Sequence, residues 1–359
     1  MDKSLIQKVV NSFKIDGKLI EISTLESGNI NYTYLSKWAL EGKELFFVHQ
    51  KINKEVFKNP KLINENINLI LNSVNQSNLF EKLFLVPTRT NELFIDDIEL
   101  GFWRTFNYIP NSKTFLSTEN NIQAFNSGKA FGQFQKILNT FDVKDFKETI
   151  LNFSDTKYRF ILFQEQLKSS KKLDGVDKEI EFVLNRESDA VFITNLVNDK
   201  IIPTRLTHGD LKISNLLFNS ENKVLSVIDL DTCMPGNILY DYGDMIRSNA
   251  CDCSEEVEDF SLIKVNLEYF EQITKGFLSA IGSELTSNEL KYLHYAPGLI
   301  TLNIGIRFLT DFLDGDKYFH TKYEGHNLHR AKVQFELVKN FEDNLGNLKE
   351  IVNKLVNTL

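Results

Sequence analysis

The feature that most limits how this chain can fold is a change of texture at Pro110. Before it, short apolar runs alternate with turn residues. Leu19–Ile22 gives way to Glu26-Ser27-Gly28-Asn29, Asn31–Leu35 to Glu41-Gly42-Lys43, and Leu45–Val48 follows, which predicts a three-strand meander. Leu62, Ile63, Ile67, Ile70, Leu71 and Val74 recur at helical spacing, so one helix is expected over 60–74 before two further strands at 93–95 and 102–109. After Pro110, helical patterns dominate at 118–138, 156–166, 178–195, 262–281 and 287–313, interrupted by one β-rich island, 202–230. A small β-rich lobe (1–109) followed by a larger, mainly helical lobe (110–359) is an α+β plan, and the chain is long enough for both.

Composition narrows the class. The chain is 42% apolar and 25% charged, as ordinary globular proteins are. Its net charge of −8 and lack of a basic stripe argue against a nucleic-acid partner, because nothing would neutralise the phosphates. A phosphate-bearing ligand therefore calls for a local pocket and a cation. No apolar run approaches the ~20 residues that span a bilayer, and no secretory signal is visible, so no membrane partner is expected. The three cysteines, Cys233, Cys251 and Cys253, suit a reducing cytoplasm better than a disulfide framework. Cys251-Asp-Cys253 has no second cysteine or histidine pair and makes a poor zinc site; buried thiols are the expectation.

The chemistry concentrates in the island. It reads Thr207-His208-Gly209-Asp210-Leu211-Lys212-Ile213-Ser214-Asn215, and after the predicted turn Asn219–Asn222 it returns as Ile228-Asp229-Leu230-Asp231. A hairpin here brings Asn215 near Asp229, and an amide oxygen beside a carboxylate suits magnesium, which completes its shell with water and phosphate oxygens. Asp210 lies on the same loop as a base for an incoming hydroxyl. These are the parts of a phosphoryl-transfer site. A tight turn at His208–Asp210 with Asp229 capping a strand is the bland alternative. Against it stands the cost of placing Asp229 and Asp231 in an apolar strand without a cation or donors, which reaches several kcal/mol.

His208-Gly209-Asp210 with Asn215 and Asp229 resembles the catalytic and metal loops of the aminoglycoside phosphotransferase and choline kinase superfamily. Within it, Ile228–Gly236 running on to Arg247, and Gly305–Phe319 continuing to Arg330, are similar to the N-acetylhexosamine 1-kinases. The resemblance implies a protein-kinase-like bilobal fold and phosphorylation by ATP of the anomeric hydroxyl of N-acetylglucosamine or N-acetylgalactosamine. It implies Asp210 as base, Asn215 and Asp229 on Mg2+, and Asn29, Asn31, Arg307 and Tyr318 at the sugar. Gly28 and Lys51 would approach the nucleotide, and a salvage role for free amino sugars would follow. Read without the resemblance, Arg307 is an ion-pair partner for Asp311 at i+4 and Tyr318 a core residue. Asp231 either binds a second metal or braces Asp229, while Asp241 and Asp244 support the loop. One departure stands out: a kinase-like first lobe presents a lysine on its third strand, yet Gln50 occupies that place and Lys51 follows it. Rival readings are a kinase for another acceptor, such as choline, an aminoglycoside or an amino acid alcohol, or an inactive nucleotide-binding protein.

Overall fold

The structure, a computed structural model, describes residues 3–25, 30–170, 174–251 and 256–359. It divides into two compact units, Met1–Ser112 with Thr149–Leu151, and Lys113–Glu148 with Asn152–Leu359.

The smaller unit is built on a five-stranded antiparallel sheet in the order β1-β2-β3-β5-β4. Its strands are β1 (Lys18–Leu25), β2 (Tyr32–Leu40), β3 (Lys43–Lys51), β4 (Ile95–Asp97) and β5 (Gly101–Asn107). Between β2 and β3 the chain turns on two residues, Glu41 at φ 49° and Gly42 at φ 78°. Two positive φ angles give the backbone twist that matches paired strands, and glycine adopts such an angle without a Cβ penalty. Helix α1 (Lys3–Asn11) did not stand out in the sequence. Ile6, Val9 and Val10 form its apolar stripe, which with Phe13 just beyond the helix packs against Tyr34, Trp38 and Trp103 of the sheet. Helix α2 (Pro60–Ser77) starts where Asn59 accepts a hydrogen bond from the Leu62 N–H and proline fills the first turn.

The larger unit is mainly helical: α3 (Asn121–Leu138), α4 (Thr156–Ser169), α5 (Asp177–Leu184), α6 (Glu187–Asn198), α7 (Ile238–Asn249), α8 (Leu267–Ile281), α9 (Ser287–Tyr292), α10 (Ala296–Asp314), α11 (His326–Asp343) and α12 (Leu345–Val356). Two predicted helices are broken in the structure. The 178–195 pattern splits at Asn185–Arg186, where the Arg186 guanidinium bonds Glu342 at 2.7 and 2.9 Å. The 287–313 pattern splits into α9 and α10, because Pro297 has no N–H to continue a helix and instead opens the next one. Helices α3 and α8 cross at backbone contact: a Cβ on Gly128 would lie 2.0 Å from the Ile273 carbonyl oxygen, and one on Gly276 would lie 2.1 Å from that of Phe125. Helix α10 runs through the main core, its Leu302, Ile306 and Leu309 packing with Phe160 and Phe163 of α4 and Phe335 of α11.

Two short antiparallel pairs are set into this helical unit, β7 (Leu216–Phe218) with β8 (Val224–Val227), and β6 (Arg205–Thr207) with β9 (Met234–Gly236). The first is the hairpin expected from the sequence. Its turn is closed by the Asn219 side chain, which accepts from the N–H groups of Glu221 and Lys223, and by Asn222 at φ 59°. The loops 208–215 and 228–233 are thereby anchored by a strand at each end.

Candidate phosphotransfer site

The loop 208–215 is held from below by a buried carboxylate. Asp241, on the first turn of α7, accepts from the N–H of His208 at 2.8 Å and of Gly209 at 2.9 Å. Burial pushes its carboxyl up to about 7, with the two backbone donors pulling against that. Gly209 has φ 84°, and a Cβ there would meet the Thr232 carbonyl oxygen at 2.9 Å and the Phe153 ring at 3.2 Å. Both the backbone angle and the close approach of the second loop require glycine.

His208 is fully buried and structural. Its Nδ1 accepts from the Asp210 N–H at 3.2 Å, so the proton belongs on Nε2, which donates to the Ile228 carbonyl at 3.1 Å. Burial lowers its pKa, and the neutral ring joins the two loops. The Asn215 carbonyl accepts from the Ile228 N–H at 2.9 Å, which makes Asn215 and the residue before Asp229 direct neighbours.

Asp210 is the centre of this network. One of its oxygens, Oδ2, pairs with Lys212 Nζ at 2.8 Å and accepts from Asn215 Nδ2 at 2.9 Å. Among the described residues, the other oxygen, Oδ1, has no hydrogen-bond donor. Burial alone would raise the carboxyl; Lys212, with help from His208 and Asn215, outweighs it and holds the group below the ordinary aspartate value. Lys212 in turn is held charged first by Asp210, against the effect of burial, and also feels Asp229 and Asp244. Because Asn215 spends its amide nitrogen on Asp210, its Oδ1 points the other way, as a hard oxygen suited to a cation. Asp229 is exposed and takes φ 63°, ψ 57°, a left-handed conformation that aspartate tolerates better than most residues. Among the described residues, no three or more His, Cys, Asp or Glu side chains cluster as a metal cage. An amide and one carboxylate, with phosphate oxygens and water supplying the rest, fit magnesium well.

The remaining predicted residues fall in three groups. Arg307 on α10 lies over the rings of Phe153 (5.5 Å) and Phe319 (5.4 Å), and Phe153 is the ring that closes on Gly209. Its expected partner Asp311 is otherwise engaged, accepting from the N–H groups of Lys317, Tyr318 and Phe319 at 2.8–3.0 Å and from Asn327 at 2.9 Å. That removes the ion-pair reading of Arg307. Tyr318 is 49% exposed, not core, and its ring meets Phe319 edge-on at 4.8 Å. In the smaller unit, the Asn31 side chain accepts from the Asn53 N–H at 3.0 Å. Lys51 shares a sheet face with His49 and Phe47, the face that α1 covers. Gln50, on the opposite face, accepts two hydrogen bonds from the Arg104 guanidinium, at 2.9 and 2.7 Å. Glu65 on α2, the candidate helix glutamate to pair with a third-strand lysine, is exposed. Gly28 and Asn29 lie outside the described residues, as does Cys253; Cys233 and Cys251 are buried thiols. Lys212 and Arg104 were not singled out by their spacing. A cation two residues after Asp210 was the available signal for the first; the second needed the β3–β5 pairing.

Residues 119–261, the stretch that carries both loops, match the APH family, the phosphotransferase enzyme family. Several solved structures share the fold. An ethanolamine kinase of Plasmodium vivax is 17% identical over 88% of this chain and 82% of its own, with a TM-score of 0.58. An aminoglycoside phosphotransferase of Alicyclobacillus acidocaldarius is 13% identical over 97% and 96%, at 0.61. A choline kinase of Streptococcus pneumoniae is 16% identical over 95% and 99%, at 0.54. The kinase-like α+β fold expected from the sequence is the fold of these proteins, and the segment holding the site is the one that matches the phosphotransferase family.

Proposed function

We propose that this chain is an ATP-dependent, magnesium-requiring kinase that phosphorylates the anomeric hydroxyl of an N-acetylhexosamine, releasing ADP and a sugar 1-phosphate. The observation that carries the reading is the division of labour within Asp210. Lys212 and Asn215 occupy Oδ2 and keep the group ionised, leaving Oδ1 for an acceptor hydroxyl. Oδ1 orients that hydroxyl toward the γ-phosphorus and takes its proton as the new O–P bond forms and the bond to the leaving ADP oxygen breaks. An anomeric hydroxyl is more acidic than an ordinary alcohol, so a carboxylate with no raised pKa is an adequate base. Asn215 and Asp229 are assigned to Mg2+, which neutralises phosphate charge when bound. Arg307 and Tyr318 are assigned to the sugar, with Asn29 and Asn31 from the smaller unit, and Gly28 to the nucleotide; Lys51, expected there too, lies on the α1 face of its sheet, opposite Gln50 and Arg104. The choice of ATP rests on the resemblance; among structures of this fold, one phosphotransferase holds ADP with spectinomycin and another GDP with kanamycin.

The test is ADP release from Mg-ATP across N-acetylglucosamine, N-acetylgalactosamine, glucose, galactose, choline and kanamycin, with Asp210→Asn alongside. Turnover on an N-acetylhexosamine that yields an acid-labile phosphate and falls about 10²–10⁴-fold in the variant is expected. Turnover confined to choline or kanamycin would retain the loop roles and refute the sugar. Nucleotide binding with no turnover on any acceptor would favour an inactive binding protein.

A further inference from the structure

Helix α4 carries an arginine that the spacing of motifs did not single out. Arg159 lies one turn into α4, behind the cap formed by Asp155. Its Nε is buried and has no hydrogen-bond partner. Among the described residues, neither Arg159 nor Arg307 forms an ion pair with a carboxylate. The two are nevertheless neighbours: after burial, Arg307 is the group that most lowers the Arg159 pKa, and Tyr240, Tyr318 and Tyr158 act on it in the opposite sense. Tyr240 is the hub. Its buried hydroxyl, raised to about 12 by burial, feels Arg307, Asp244, Arg159 and Arg247, and its ring lies 5.8 Å from Phe153. Phe153 in turn touches both the Gly209 turn and the Arg307 guanidinium. The chain thus gathers two guanidinium groups about Tyr240 and Phe153, the ring that closes on the Gly209 turn, with no carboxylate paired to either.

Such an arrangement is costly in the free protein, since like charges repel and a buried N–H without an acceptor loses its hydration. A ligand bringing oxygen lone pairs, neutral or anionic, offsets that cost, and the flat fork of an arginine is made to receive carbonyl or hydroxyl oxygens in pairs. A cationic ligand would add a third positive charge. We propose that Arg159 is a specificity-determining residue of the acceptor site, which together with Arg307 admits oxygen-rich neutral or anionic acceptors and excludes cationic ones. This rests on the kinase reading of the Asp210 loop, and it deepens that reading by setting the charge of the acceptor.

The experiment compares N-acetylglucosamine with glucosamine, which differ at one nitrogen that is neutral in the first and protonated in the second, using the wild-type chain, Arg159→Gln and Arg159→Lys. In the wild type, kcat/KM should strongly favour the acetylated sugar. Arg159→Gln should raise its KM about 10- to 100-fold, the range for a lost hydrogen bond to a charged group, with kcat changed much less. It should also narrow the preference over glucosamine, while Arg159→Lys keeps the exclusion of the cation and loses affinity. Thermal melting monitors folding, and if the Gln variant fails to fold, the Lys variant carries the comparison. An unchanged KM and unchanged preference in a folded Arg159→Gln would overturn the proposal, and so would a wild type that prefers choline or kanamycin. Turnover on a different neutral or anionic acceptor would refute the N-acetylhexosamine assignment alone, and the variants would then be read on that acceptor. If nothing turns over, thermal-shift titration with sulfate replaces kinetics: stabilisation lost in Arg159→Gln supports the site, and equal stabilisation overturns it.

Discussion

At the scale of single residues, charge location matters more than charge identity. In the helical unit a lysine two positions from the catalytic-type aspartate holds it ionised, so Asp210 needs no distant partner. In the smaller unit the place where kinase-like sheets present a lysine holds Gln50, and the cation bonded to it on that face comes from the neighbouring strand as Arg104. Period-two alternation puts Lys51 on the other face, with the α1 core. If the face decides the role, Arg104→Gln should raise the KM for ATP about 10-fold or more, and Lys51→Gln should change it little. Arg104→Lys, which keeps the charge, guards against misreading a folding defect. A raised KM in Lys51→Gln alongside a normal Arg104→Gln would return the phosphate role to Lys51.

At the scale of elements, the smaller sheet is cross-linked through its interior by a polar chain. The Trp38 indole donates to Ser36 Oγ at 2.8 Å, Ser36 meets His49 Nε2 at 2.7 Å, and His49 Nδ1 meets Thr105 Oγ1 at 2.7 Å, so β2, β3 and β5 share one network. Burial lowers the His49 pKa to about 3. The sign follows from proton counting. Between about 6.5, the unfolded value, and about 3, the unfolded chain binds a proton that the folded chain refuses, so stability falls as pH falls through that window. Urea melts from pH 7.5 to 5 should show wild type losing stability faster than His49→Gln; parallel losses would show that His49 does not carry the effect. Asparagine does much of the local work elsewhere. It caps α2, α3, α7 and α8, and it supplies five of the nine non-glycine residues described with positive φ, which gives the asparagine-rich composition a conformational use.

At the scale of the whole molecule, the proposed kinase reading with a net charge of −8 leaves the handling of a polyanionic nucleotide to a few placed cations and a metal. With Asn215 and Asp229 as its two assigned protein ligands, and phosphate oxygens and water filling the rest of its shell, Mg2+ is expected to arrive with the nucleotide. A chelator should therefore abolish turnover, with added Mg2+ restoring it, and leave the melting temperature of the ligand-free protein unchanged. A drop in that melting temperature would instead mark a structural ion. No helix among the described residues is long and apolar enough to cross a membrane.

What the sequence determined by itself was local: the texture change at Pro110, the meander with its turn at 41–43, the hairpin turning at 219–222, and the spacing of Asp210, Asn215 and Asp229. Each is a short-range pattern whose physical cause acts within a few residues. Tertiary structure decided the rest. Helix α1 forms because a sheet face awaits its apolar stripe. Asp311 turns from Arg307 to the backbone of 317–319 because that loop folds back over it. Arg159 and Arg307, on helices separated by more than a hundred positions, become neighbours only when α4 and α10 pack in one core. Spacing along a chain cannot encode such meetings, since side chains on different elements are brought together by which faces are buried.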